Sequence, residues 1–167
     1  QNGVKTVAKS KSMVSEEVGL NDALIAAGIE PIETDLGEYI LQINDAEPPS
    51  HIVMPVIHKT AEAVADLFHA KHGTPRKTDP AAPTREAREI PRPKFLSADM
   101  GVSGANFLIA ETGSTLIVTN EGNGRLCTTL PRLHVAITGI EKVVPTLEDV
   151  STLLRLLAGR QEPDSGR

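Results

Sequence analysis

The chain has 167 residues, 40% of them hydrophobic, which is enough for a core and too many for disorder throughout. Its net charge of −5, with Lys and Arg scattered among acids, makes nucleic acid a poor candidate partner, because phosphate binding needs clustered positive charge. No apolar run approaches the ~20 residues of a membrane span, and with aromatics at 2% the core falls to Val, Ile, Leu and Ala, the usage of buried strands in a helix-covered sheet.

In chain order, residues 4–9 read as a short strand running through Lys9-Ser10-Lys11-Ser12 into a helix. Ser12 or Ser15 can cap that helix, with Glu16 and Glu17 near its positive end. Val14, Val18 and Leu24 fall near one face, and Gly28 is placed as the stop. Residues 29–34 read as a second strand and residues 35–37 as a turn, so the opening is strand–helix–strand, the unit of a parallel sheet. Residues 39–43 and 52–56 are further short apolar runs. Thr60 starts another helix, with Val64, Leu67, Phe68 and Lys71 at helical spacing and Gly73 ending it. Residues 74–97 read as an exposed, Pro-rich connection with at most one short helix near residues 84–89, which Pro91 and Pro93 would end.

From residue 98 the pattern is β-rich. Residues 107–110 and 115–119 flank Glu111-Thr112-Gly113-Ser114 as a hairpin would. Asn120-Glu121-Gly122-Asn123-Gly124-Arg125 is a dense turn sequence, and residues 134–138 and 142–144 read as strands. Thr146 and Asp149 form a capping-box-like pair opening a last helix, whose face carries Leu147, Val150, Leu153, Leu154 and Leu157 up to Gly159. The domain is expected over residues 1–159, with residues 160–167 a flexible tail and no internal repeat. The chain opens Gln1-Asn2-Gly3 without an initiator Met or a signal-peptide pattern, which reads as a fragment or processed piece.

Chemistry is expected first at residues 111–125. Glu111, Thr112, Gly113, Asn120, Glu121, Asn123, Gly124 and Arg125 set carboxylates, amides, an arginine and glycines near strand ends, where open α/β sheets bind ligands. Glycines free backbone N–H groups to face an anion, and Arg125 can hold a carboxylate or phosphate through two parallel bonds. The same residues also make ordinary polar turns. The second candidate is Lys9, Ser10, Lys11 and Ser12, where a helix start and two lysines favour an anion. It lacks the P-loop frame, and a capped helix with solvated lysines fits as well. Glu121 and His134 are candidate proton-transfer groups.

No metal site is expected. His69 and His72 share a helix face without a third ligand, while His58 and His134 stand alone. Cys127 is the single cysteine, so it cannot close an internal disulfide or hold an iron–sulfur cluster, which takes about four thiolates. It reads as buried and inert, in a strand with Arg125 on the same face. A lone cysteine suits a reducing cytoplasm, the expected location.

Several stretches together resemble the LUD domain family of bacterial lactate-utilisation proteins, in the form found in the B component. They are Lys9-Ser10-Lys11-Ser12-Met13-Val14-Ser15-Glu16-Glu17, Glu33-Thr34-Asp35-Leu36-Gly37-Glu38-Tyr39 and His51-Ile52-Val53-Met54-Pro55-Val56-Ile57-His58-Lys59-Thr60. The run Ala98-Asp99-Met100-Gly101-Val102-Ser103-Gly104-Ala105-Asn106-Phe107 is the closest. Thr119-Asn120-Glu121-Gly122-Asn123-Gly124-Arg125 and Gly139-Ile140-Glu141-Lys142-Val143-Val144-Pro145-Thr146-Leu147-Glu148-Asp149 complete an ordered match. The resemblance implies a Rossmann-like three-layer α/β sandwich like those of glucosamine-6-phosphate deaminase (NagB), ribose-5-phosphate isomerase and the CoA transferases. It also implies a part in oxidising L-lactate to pyruvate with companion lactate-utilisation proteins and 4Fe-4S clusters in the full-length family member. The family's C-terminal cysteine motifs are absent here, so no cluster is assigned to this chain. Where family members resemble a long charged helix, this chain has Pro80, Pro83, Pro91 and Pro93.

Three functions compete. The domain can serve a lactate-oxidising complex by binding a partner subunit or a small carboxylate, with Arg125 holding the carboxylate and Glu121 or His134 moving a proton. Asn120-Glu121-Gly122 also resembles the glutamate motif of CoA transferases, which would make Glu121 a nucleophile toward thioesters. The third is a docking module without a ligand, which Glu111, Glu121 and Arg125 pointing apart would favour.

Overall fold

The computed structural model describes residues 3–44, 56, 59–73, 92–119 and 122–159. It opens with strand β1 (Thr6–Lys9), helices α1 (Met13–Glu17) and α2 (Leu20–Ala26), and strand β2 (Glu30–Glu33). Ser12 is the cap of α1, its Oγ accepting the Ser15 N–H at 3.3 Å. The single helix expected here is two, because Gly19 takes the left-handed conformation at φ 64° and restarts the chain as the cap of α2. That break leaves Val18 exposed and sends Leu24 alone of the three expected apolar residues into the core.

β1 and β2 pair in parallel, with Val7 opposite Pro31 and Lys9 opposite Glu33. Strands β3 (Met100–Ser103) and β6 (Leu133–Ala136) extend the sheet in the order β2-β1-β3-β6, all parallel. Period-two alternation divides the sheet into two faces. Val7 and Val102 pack with Leu24 under α2. Ala8 packs with Phe95, Ala98 and Cys127 under helices α5 (Arg92–Ser97) and α6 (Asn123–Thr129). The result is a Rossmann-like three-layer α/β arrangement, as expected. At its opposite end Asp99 ties β1 to β3, its Oδ2 accepting the backbone N–H groups of Lys5 at 2.8 Å and Thr6 at 3.1 Å.

Four local readings change. Residues 35–37 are not a free turn: Asp35 caps helix α3 (Leu36–Ile43), accepting the Gly37 N–H at 3.1 Å, and the apolar run 39–43 is helical. Residues 92–97, expected within the exposed connection, form α5 and bury Phe95. Pro93 lies in the first turn of α5, where a missing N–H removes no intrahelical bond. Residues 123–125 start α6 rather than a turn, because Gly122 reverses the chain at φ 83° as its cap. The readings for residues 52–55, 84–89 and 160–167 lie outside the described residues.

Helix α4 (Ala61–His72) is capped by Thr60 and ended by Gly73 at φ 66°, as the sequence requires. Its Val64 and Phe68 pack with Tyr39 and Ile40 of α3 beside β2. Among the described residues, α3 rather than a further strand meets the outer edge of β2. Pro31 has no N–H to offer, and the Gln42 amide of α3 donates to the Pro31 carbonyl at 2.7 Å and accepts the Glu33 N–H at 3.1 Å.

A second sheet has the order β5-β4-β7. Strands β4 (Phe107–Ile109) and β5 (Ser114–Leu116) form the expected hairpin, and β7 (Val143–Val144) pairs parallel to β4. Helix α7 (Leu147–Gly159) covers it through Val150, Leu153 and Leu154. The Thr146–Asp149 capping box forms reciprocally, at 3.1 and 3.2 Å. Leu147 and Leu157 stay outside the contact, contrary to the predicted face: 13 helical residues outreach strands of two or three. Among the described residues no helix is long and apolar enough to cross a membrane.

The close seat of α6 on β3 depends on Gly101. A Cβ there would collide with the Cys127 carbonyl oxygen and lie 2.8 Å from its carbon, both rigid backbone atoms. Gly101→Ala is therefore expected to cost about 2 kcal/mol or more in denaturant unfolding; a loss below about 0.5 kcal/mol would show that α6 is not held this tightly.

Candidate functional site

The strand order reverses direction between β1 and β3: the chain leaves β1 toward β2 on one side and later returns to β3 on the other. The loops following the carboxyl ends of two such strands bound the crevice where open α/β sheets take ligands. Here they are residues 10–12 after β1 and 104–106 after β3. They meet at Ser12 and Gly104, where an added Cβ on Gly104 would stand 3.2 Å from Ser12 Oγ. Hydrogen bonds fix both loops at their roots, from Ser10 N–H to the Val102 carbonyl at 2.9 Å and from Ile137 N–H to the Ser103 carbonyl at 2.8 Å.

Around this crevice the strand ends carry paired polar side chains. Lys9 Nζ stands 2.8 Å from Glu33 Oε1, with both side chains at least 95% buried. Asn21 of α2 donates to the same oxygen at 2.8 Å. Lys9 is thus committed to an internal ion pair. Lys11 reaches α3 instead, its Nζ 2.7 Å from Glu38 Oε1, and keeps 27% of its side chain exposed. Burial raises the Glu38 carboxyl to about 7, with Asp35 adding to the rise and Lys11 opposing it.

On the other face Ser103, fully buried at the end of β3, hydrogen-bonds His134 Nε2 of β6 at 2.8 Å. Desolvation lowers the His134 pKa, so the imidazole is neutral in the physiological range and takes or gives a proton without standing as a fixed cation. Cys127 is fully buried in a helix, not a strand, and Thr34 Oγ1 lies 3.5 Å from its Sγ. Burial pushes this thiol up to about 11, against the Thr34 hydrogen bond. Arg125, two residues away on α6, is exposed on a different side of the helix.

The sequence-predicted residues therefore occupy three places. Lys9, Ser10, Lys11 and Ser12 lie at and just after the carboxyl end of β1, and His134 of β6 bonds Ser103 at the carboxyl end of β3. Glu111, Thr112 and Gly113 form the exposed tip of the β4–β5 hairpin on the second sheet, where the Glu111 N–H bonds the Pro145 carbonyl at 3.0 Å. Asn123, Gly124 and Arg125 form the first turn of α6, with Gly124 buried beside Thr119. Asn120 and Glu121, like His58, lie outside the described residues. Glu33, Glu38 and Ser103 were missed. Asp35-x-x-Glu38 is a capping-box spacing that could have exposed the second of them.

His72 does not turn to a metal with His69. Its Nε2 lies 3.2 Å from the Tyr39 hydroxyl, with the two rings stacked. Among the described residues no group of three or more His, Cys, Asp and Glu side chains could hold a metal ion. The iron–sulfur cluster that the resemblance implies for the full-length protein does not fit this chain's residues, since its one cysteine is buried with a raised pKa.

The LUD domain model matches residues 2–165. The chain belongs to the LUD domain family. It is 54% identical over 151 residues to a protein named Lactate utilization protein B from Shouchella clausii, covering 90% of this chain and 32% of that relative. It is 50% identical over 153 residues to Lactate utilization protein B from Geobacillus thermodenitrificans, covering 92% of this chain and 32% of the relative. It is 49% identical over 158 residues to the Uncharacterized electron transport protein YkgF of Escherichia coli, covering 95% and 33%. This LUD domain thus spans about a third of the length of the curated relatives it matches. No solved structure matches it.

Glu38 gives the site a pH signature. Its folded pKa of about 7 exceeds the unfolded carboxyl value of 4.5, so the folded state holds the extra proton between these limits. That stability is present at low pH and lost as pH rises through about 7, by on the order of 1–3 kcal/mol. Glu38→Gln cannot titrate, so its stability relative to wild type should climb by that amount between about pH 5 and about pH 8 in urea unfolding. Parallel stability curves for the two proteins would contradict the assignment.

Proposed function

We propose that this LUD domain serves lactate utilisation by holding a small carboxylate of the 2-hydroxy or 2-oxo acid class at the carboxyl end of its parallel sheet. The observation that carries the reading is the convergence of the β1 and β3 loops at the topological switch point, with Lys11 and His134 on its borders. Lys11 supplies a partly exposed positive charge beside it. His134, held by Ser103, is the group placed to accept or return a proton. The names of the half-identical relatives support lactate as the member of that class.

Oxidation of L-lactate to pyruvate releases two electrons, and the chain's single cysteine is too few to hold an iron–sulfur cluster that would take them. Binding and orientation are the domain's share, and the redox work falls to companion lactate-utilisation proteins or to cluster-bearing sequence outside this chain. Arg125, the carboxylate holder expected from the sequence, stands exposed on α6, and in this reading Lys11 takes that role. The cytoplasm is the compartment that fits such partners.

Calorimetric titration of the purified chain with L-lactate tests this. Lys11→Ala should weaken binding about tenfold, the worth of one charge-assisted contact, while Arg125→Ala changes it less than about twofold. The reverse ranking, or no uptake of L-lactate or pyruvate by the folded chain, would remove the reading.

A further inference from the structure

The two edges of the parallel sheet differ in character. At β2 the edge is blunted, because Pro31 offers no N–H and Gln42 of α3 engages the Pro31 carbonyl and the Glu33 N–H. At β6 the strand reads Leu133-His134-Val135-Ala136 and carries no Lys, Arg, Asp, Glu or Pro. The N–H of Ile137, just after it, bonds the Ser103 carbonyl of β3 at 2.8 Å. Backbone groups alternate sides along a strand, so those of Leu133 and Val135 also turn to β3, and those of His134 and Ala136 turn away from it. Among the described residues these outward N–H and carbonyl groups meet no backbone partner. Val135 is 39% exposed and, opposite Val102 in register, lies on the α2 face of the sheet. On the other face α6, the helix that touches β6, leaves Leu126 and Leu130 exposed one turn apart.

We infer that β6 is a pairing edge, and that its occupant is β6 of a second copy of this chain, antiparallel about a two-fold axis through Val135. The strand is self-complementary in that register. With Val135 opposite its own symmetry mate, His134 faces Ala136 of the second copy, and Ala136 faces His134 of the second copy. Each of these pairs exchanges both of its N–H···O=C bonds, so every outward group of the strand is used. The two Val135 side chains meet at the position between them, where side chains across an antiparallel pair stand closest, and β-branched residues pack well there. No like charges oppose each other within the strand, and charge is the usual means of preventing such self-pairing. A two-fold contact of this kind closes at two copies and joins the two sheets into one. Because the paired strands run in opposite directions, the carboxyl ends of the two sheets, with their crevices, face opposite ways.

Sedimentation equilibrium of the whole chain from about 10 µM to about 500 µM, with amide hydrogen exchange followed over the same range, tests the pairing. The mass should rise from that of one chain toward that of two, and exchange at His134 and Ala136 should slow by about tenfold or more as it does. Val135→Lys sets two ammonium groups opposite each other at an exposed position. It should hold the mass at one chain and leave both amides fast, with the circular dichroism of wild type. Should that variant fail to fold, the concentration dependence of exchange in the wild-type chain decides alone. A chain that stays single to the top of the range overturns the inference. So does a dimer whose His134 and Ala136 amides exchange as fast as in dilute solution, or one that folded Val135→Lys leaves intact. Slow exchange of both amides in single chains overturns it too, because the edge is then covered from within the same chain.

Discussion

At the last register position shared by β1 and β2, Lys9 and Glu33 face each other across 2.8 Å with almost no exposure to solvent. Two charges in that position are expensive to desolvate, and their mutual attraction repays the cost only when hydrogen bonds serve what remains. The surrounding elements do so in part, while Glu33 Oε2 stays buried with no hydrogen-bond partner among the described residues. Asn21 ties α2 to the Glu33 carboxylate, Gln42 ties α3 to the Glu33 backbone, and the Thr34 N–H and hydroxyl both reach the Lys9 carbonyl. Thr34 in turn touches Cys127, which brings α6 to the same point. Removing either charge would leave the other buried and unpaired, which costs about 3–5 kcal/mol.

That clamp decides how the crevice can work. With Lys9 committed inward, the lysine of the β1 loop that stays partly in water is Lys11, whose side chain turns to α3 and pairs with Glu38. Ser12 then closes the β1 loop against Gly104, a contact too tight for any larger residue to enter without displacement. On the opposite face Ser103 holds His134 by the ring nitrogen. A rigid, internally paired sheet end thus carries a softer rim of titratable groups, the arrangement expected where a ligand and a proton are exchanged.

Much of this fold was legible because local chemistry and tertiary structure agree. Ser12 and Thr60 cap helices, Gly73 ends one, the hairpin at residues 107–116 closes where Thr112-Gly113 sits, and Thr146 with Asp149 opens α7. The missed features each depend on something distant in sequence. α3 was hidden because Asp35-Leu36-Gly37 has turn composition, although Glu38 stood at capping-box spacing. α6 was hidden because its first turn is Asn123-Gly124-Arg125, poor helix formers apart from the arginine. It forms because Cys127 lies against β3, where Gly101 leaves room, and Gly124 seats closely beside Thr119. Lys9 reads from the sequence as an exposed lysine beside a loop, and only the register with Glu33 turns it inward. The candidate site divided for the same reason. Polar residues between 111 and 125 are close along the chain, yet a hairpin on the second sheet and a helix on the first take them to different places.

The central claim is that the carboxyl end of the parallel sheet, at the β1–β3 reversal, is where this LUD domain meets its ligand. Amide chemical-shift mapping of the isotopically labelled chain during addition of L-lactate tests it most directly. The account predicts saturable shifts at residues 10–12, 104–106 and 134–138, with Glu111–Gly113 of the hairpin tip and Arg125 of α6 unmoved. Shifts confined to the hairpin tip and the exposed side of α6 would contradict it.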